Sequence, residues 1–259
     1  MTANLAIIEQ MYAGVPQPLG SGGAFSAIHK SSVVGPWRIT STGLLGDEQA
    51  DLRNHGGPEK ALHHYTRDHY ATWSAEMPEI SHLLDAPPAF GENISTQGLT
   101  EADICLGDTM RLGTVVLQVS QGRQPCWKLN ARFGVADMAM RVQRSGRSGW
   151  YYRVLDEGSV EPGDTLRLIE RPHPEWPLAR AISVLYKRTL AFDELAELAA
   201  VPTLAESWRR LMQRRLQTGK VESWGKRLTG SRIPDLPVLI SSANPSGRRI
   251  ARRRKGKTT

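Results

Sequence analysis

The chain has 259 residues, 40% of them hydrophobic and 23% charged, with a net charge of +7; these proportions suit an ordinary soluble globular protein. No apolar run nears the ~20 residues that cross a bilayer, and the N-terminal MTANLAIIEQMY lacks the basic and apolar regions of a signal peptide, so no membrane association is expected. Two cysteines in unlike contexts make a disulfide framework improbable and point to a reducing cytoplasm.

Residues 1–45 alternate short apolar stretches with Gly, Pro and Ser, as short strands and loops do. The turn Gly56-Gly57-Pro58 then opens an expected helix, with Pro58 at its first position and Glu59 near the positive end of the helix dipole. Leu62, Tyr65, His69 and Trp73 recur at steps of three and four to give one buried stripe, and Pro78 ends the element.

Residues 86–121 return to β. The segment CLGDTMRLGTVVLQVS reads as two strands around Gly113, with Val115, Leu117 and Val119 on one buried face. Gly107-Asp108 and Gly163-Asp164 look like one turn used twice, each feeding an alternating strand. Between them a helix is expected over 135–143 and a strand over 150–155.

Beyond the proline-rich linker 171–177 the pattern turns helical, with candidates at 178–187, 192–200 and 205–217. Thr203 and Glu206 stand at capping-box spacing for the last, which stops near Gly219. After Gly225 the rising Gly, Pro, Ser and Arg content predicts little fixed structure. Arg248, Arg249, Arg252, Arg253, Arg254, Lys255 and Lys257 together equal the whole net charge, leaving residues 1–247 formally neutral. Such a tail binds polyanions weakly and with strong salt dependence; specific nucleic-acid recognition is not expected. The outline is a mainly β body over residues 1–171, a small helical domain over 176–220 and a flexible basic tail over 225–259.

Four segments concentrate polar side chains that a packed core does not need. They carry Arg53, His55, Gly57, Lys60 and His63; Glu92 and Asn93; Arg123, Cys126, Lys128 and Asn130; and Arg147, Trp150 and Arg153. Cys126 stands out. Nearby positive charge stabilises a thiolate, the form that attacks electrophiles or binds soft metals, whereas Cys105 in the apolar ICLGD reads as structural. The histidines offer no i, i+4 zinc pair, and there is no HExxH, CxxC, P-loop or GxGxxG. A thiol, several cations and a glycine-rich turn together suit an anionic ligand carrying a soft metal centre.

The ordered set GLLGDEQADLRNHGGPEKALHHY, FGENISTQGLTEADICLGD, VVLQVSQGRQPCWKLNARFG and GRSGWYYRVLDEGSVEPGD closely resembles the MOSC domain proteins, named after the C-terminal domain of molybdenum cofactor sulfurases. Within them it is similar to the YiiM-like branch, across most of residues 20–220. The resemblance implies a MOSC-type β-barrel followed by a short three-helix C-terminal domain. It also implies a molybdenum cofactor, with no requirement for pyridoxal phosphate. Cys126 falls on the family's motif cysteine and would ligate molybdenum; Arg53, His55, Gly57, Lys60, Asn93, Arg123, Lys128 and Asn130 fall on or beside its pocket positions. The implied activity is reduction of N-hydroxylated compounds, such as the nucleobase 6-N-hydroxylaminopurine, to amines. An external flavin reductase would supply electrons, His55 or Lys60 a proton, and Trp127 or Trp150 a stacking surface. A homodimer is compatible with this reading. The alternatives are a carrier of molybdenum cofactor without turnover, and a sulfur carrier on Cys126.

Overall fold

A computed structural model describes residues 3–20 and 23–230; the expected basic tail beyond 230, with all its cations, lies outside the described residues. In chain order the strands are β1 (Ala3–Ile8), β2 (Met11–Ala13), β3 (Gln17–Leu19), β4 (Ala24–Ser26), β5 (Ser31–Val33), β6 (Trp37–Thr40), β7 (Gly43–Leu44), β8 (Leu62–His64), β9 (Thr109–Leu112), β10 (Val115–Gly122), β11 (Trp150–Asp156), β12 (Gly158–Val160) and β13 (Asp164–Glu170). The helices are α1 (Leu52–His55), α2 (Asp68–Glu76), α3 (Lys128–Phe133), α4 (Met138–Ser145), α5 (Leu178–Tyr186), α6 (Phe192–Ala200), α7 (Glu206–Thr218) and α8 (Gly225–Thr229). Among the described residues no helix is long and apolar enough to cross a membrane.

Six strands pair antiparallel in the order β1-β13-β9-β10-β11-β8. The sheet curls into a half-barrel, and Ile94 carries the curl past its edge by bridging His64 of β8 and Met11 of β2. The paired Gly-Asp turns act as expected: Gly107 and Gly163 both take positive φ, and the strands that follow, β9 and β13, lie side by side. One apolar cluster fills the curl and continues into α5, α6 and α7. A second lies between α2, α3 and α4, with Phe90 stacked on Tyr65.

Four local expectations change. The helix expected from Pro58 to Pro78 is three elements: a 3-10 turn at Pro58–Lys60, strand β8, and then α2 from Asp68. Leu62, Tyr65 and Trp73 are buried as the stripe requires, but pairing of His64 with Trp150 holds the first part in the sheet; tertiary pairing overrides a short helical period. His69 sits half-buried, bonded through Nε2 to Glu101 Oε2 at 2.7 Å. Strand β10 is buried on both faces rather than one, because the helical region covers its outer side: Ala205 N–H donates to the Ser120 carbonyl, and Gly122 lies against Ile182 and Trp208.

The three later helices appear where expected, within a residue at most boundaries, and α7 ends at Gly219 in the left-handed conformation. Its cap differs. The Thr203 hydroxyl is buried without a partner, and the Glu206 N–H donates instead to the Glu59 carboxylate at 3.0 and 3.1 Å. The β body thus caps the helical region's longest helix. The fourth change is at residues 225–229, expected to lack fixed structure: they form α8 and bury Leu228.

Candidate functional site

Where β10 ends and β11 and β8 begin, the sheet edge leaves an open cleft of about 570 Å³ of empty space, its mouth included. Cys126, His55, Lys60, Arg123 and Lys128 line it, together with Asn93. Three separate stretches of chain supply these six residues: 55–60, 93 and 123–128. Cys126 follows Pro125 on the turn between β10 and α3, and Lys128 is the first residue of α3. His55 closes the single-turn helix α1, whose N-cap Asp51 accepts from the Asn54 N–H. Gly149 brings β11 in: a Cβ there would lie 2.3 Å from the His64 carbonyl and 2.9 Å from His63 Nε2, so only glycine allows this approach.

The closest pair of reactive groups is His55 Nε2 and Cys126 Sγ, 3.4 Å apart. Either the thiol donates to the imidazole nitrogen, or the ring N–H donates to a thiolate. Burial, then Lys128 and Arg123, pull the His55 pKa down to about 4, so the ring is neutral at pH 7. Burial also lowers the Lys60 pKa, and its Nζ donates to the Asn54 carbonyl at 2.6 Å. Tyr151 sits deep in the same wall with its pKa raised by burial.

Among the described residues, the cleft wall carries buried polar nitrogens that no hydrogen bond satisfies. His55 Nδ1, His63 Nε2 and Arg123 Nη1 are buried without a hydrogen-bond partner. Neither Lys60 nor Lys128 meets a carboxylate within ion-pair distance among the described residues. Unpaired buried polar atoms are costly unless a ligand satisfies them. A cationic wall beside a thiol therefore fits an anionic group that carries a soft metal, as a phosphate-bearing molybdenum cofactor does.

Sequence reasoning missed one pair in this wall. Lys30 and Asp47 form a buried ion pair at the cleft, with side chains 7% and 3% exposed. Asp47 also accepts from the Gly14 N–H and from Asn93 Nδ2, each at 2.8 Å. Nothing local marks either residue, because their partners lie 17 and 46 positions away.

Several expected pocket residues have other work. Asn93 lines the cleft, but its amide is engaged: Oδ1 accepts from His63 N–H, while Nδ2 donates to Tyr12 O and Asp47. Asn130 lies outside the cleft lining; its side chain joins the Ala139 N–H to the Leu228 carbonyl. Arg53 is exposed on α1, and neither it nor Gly57 lines the cleft. Trp150 is fully buried against His64, with ring centroids 4.3 Å apart, which leaves it no free face for a base. Trp127 packs against Gly230. Glu92 is buried, takes bonds from Tyr70 and the Phe90 N–H, and serves the second core. Arg147 pairs with Glu76 over the Trp73 ring, and Arg153 with Glu59.

Comparison with known proteins gives the family and the fold. Residues 51–167 match the MOSC domain model, and residues 176–219 match the model described as YiiM-like, 3-alpha helix domain. The chain is 42% identical to Protein YiiM of Escherichia coli (strain K12) over 205 residues, which is 79% of this chain and 91% of that protein. It is 40% identical over 203 residues to a protein named Reductase from Gibberella moniliformis, covering 78% of this chain but 36% of that longer protein. The crystal structure of YiiM from Escherichia coli superposes with a TM-score of 0.73 at 35% identity, covering 86% of this chain and 98% of that one.

Proposed function

We propose, from the premise that this chain belongs to the MOSC domain family and within it to the YiiM-like proteins, that it holds a molybdenum cofactor through Cys126 and reduces N-hydroxylated compounds to amines. N-hydroxylated nucleobases such as 6-N-hydroxylaminopurine are the proposed substrates. The observation that carries this reading is the cleft wall itself: a thiol 3.4 Å from a neutral imidazole, beside Arg123 and Lys128, neither of which meets a carboxylate within ion-pair distance among the described residues. The fungal relative named Reductase, of which this chain spans 36%, fits a reductive reaction.

When bound, the cofactor supplies two-electron, oxygen-accepting chemistry that no side chain offers. The chain's own residues do the rest. Cys126 holds the metal as thiolate, and Arg123 and Lys128 bind the cofactor's anionic groups. His55 and Lys60 handle protons. Each gives up a proton more readily than it would in water, because burial disfavours its charged form. An anionic ligand beside them favours the protonated forms, so His55 or Lys60 can pass a proton to the leaving nitrogen. Electrons come from a separate flavin reductase, in a reducing cytoplasm.

Metal analysis of the wild type beside Cys126→Ser, both made in a host that synthesises the cofactor, tests the first half: molybdenum is expected in the wild type and near absence in the variant. Equal contents end the proposal. The loaded wild type, given 6-N-hydroxylaminopurine and a chemical reductant, is expected to form adenine. Full metal without adenine points to a carrier.

A further inference from the structure

Residues 222–230 follow the three helices and lie beyond the matched helical-domain model, which ends at 219. Their anchoring begins inside α7. Arg215, with no exposed surface, makes a two-bonded pair with Glu222 at 2.6 and 3.0 Å and donates to the Leu185 carbonyl. Glu222 also accepts from Trp224 Nε1 at 2.7 Å, and the Trp224 ring meets Tyr186 edge-on. This fixes where α8 starts.

From there α8 turns onto the loop that carries Cys126. Arg227 grips the residues on both sides of the thiol: its guanidinium donates to the Pro125 carbonyl, and its own carbonyl accepts from the Trp127 N–H at 2.8 Å. A second guanidinium nitrogen donates to Gln143 Oε1 of α4 at 2.6 Å. One residue on, the Leu228 carbonyl accepts from Asn130 Nδ2 while its side chain joins the second core. Gly230 closes the segment against Trp127, so near that a Cβ would lie 2.9 Å from the indole.

We propose that residues 222–230 are a strap that sets the Cys126 loop, with Arg227 as its positioning residue. The strap ties the thiol's position to the helical region through Arg215, Glu222 and the Trp224–Tyr186 contact. The inference rests on Cys126 being the reactive thiol of the cleft, and does not depend on which metal or substrate it serves. Without Arg227, the Pro125 carbonyl and Gln143 lose their donor, and a loop holding an 8%-exposed thiol opens more often.

The test is iodoacetamide labelling of Cys126 in the full-length, cofactor-free protein, read peptide by peptide from neutral to alkaline pH. Wild type, Arg227→Ala, Arg227→Lys and the exposed neighbour control Lys226→Ala are compared. Loss of the two guanidinium hydrogen bonds is expected to speed labelling in Arg227→Ala about fivefold and to shift its pH profile. Arg227→Lys, which keeps the charge and loses the fork, should fall between, with Lys226→Ala unchanged. Should the alanine variant not fold, the lysine variant decides by the same readout. Wild-type rate and pH profile in Arg227→Lys and Arg227→Ala overturn the proposal, as does an equal change in Lys226→Ala. A failed metal assay on Cys126→Ser would leave this result standing.

Discussion

The two thiols of the chain are both buried, Cys126 8% exposed and Cys105 3%, yet they sit in opposite electrostatic surroundings. Cys105 lies on the turn before β9, where Asp108 accepts from its backbone N–H at 2.9 Å. Burial, then the Asp108 carboxylate, push its pKa up to about 11, so it stays a thiol, 3.8 Å from the Pro174 carbonyl. Cys126 faces a cleft walled by Lys60, Arg123 and Lys128 and touches a neutral imidazole. Burial alone says little about whether a cysteine reacts; the sign of the charge beside it and the presence of a cavity decide.

Replacing each thiol in turn tests that contrast most directly. Cys126→Ser should remove the fast iodoacetamide-labelled site at pH 7 altogether, whereas Cys105→Ser should leave its rate within about twofold of wild type. Fast labelling that survives in Cys126→Ser would reverse the assignment of the reactive thiol.

The imidazole beside Cys126 sharpens the comparison through pH. An unfolded chain protonates His55 as pH falls through about 6.5, but the folded protein does so only near 4. The stability linked to this residue is therefore complete above pH 6.5 and lost as pH drops to about 4. The full loss is about 2–3 kcal/mol after allowance for its partial exposure. His64, held to about 3 by burial and bonded to Tyr152 and Thr96, adds a second loss that continues to lower pH. Urea unfolding across this range should show a shallower acid decline in His55→Gln than in wild type. Identical slopes would mean that the cleft does not hold the ring neutral.

The smallest effect belongs to Arg53. Its side chain is exposed on α1 and outside the cleft lining, so Arg53→Ala should change stability by less than about 0.5 kcal/mol and leave molybdenum content unaltered. A marked fall in metal content would restore it to the pocket.

Much of the site was legible because it is locally dense in chemistry. Cys126, Arg123 and Lys128 fall within six residues, and His55 and Lys60 beside a double glycine, so the chain announces where unusual side chains gather. Lys30, Asp47 and Tyr151 went unread, since each takes its meaning from partners far along the chain. The error at Pro58–Pro78 has the same origin: four residues at helical spacing also satisfy a strand followed by a helix, and only pairing with β11 separates the two.

By itself the sequence determined the β-rich body, the twin Gly-Asp turns and the three later helices. All of these follow from side-chain period or turn chemistry within a few residues. Tertiary structure alone decided that both faces of β10 are covered, that Glu59 caps α7, that Asn130 is a strut rather than a pocket wall, and that Arg227 grips the Cys126 loop. Each of those depends on a hydrogen bond or contact between groups 60 to 147 positions apart, and no local pattern encodes which distant partner a polar group will find.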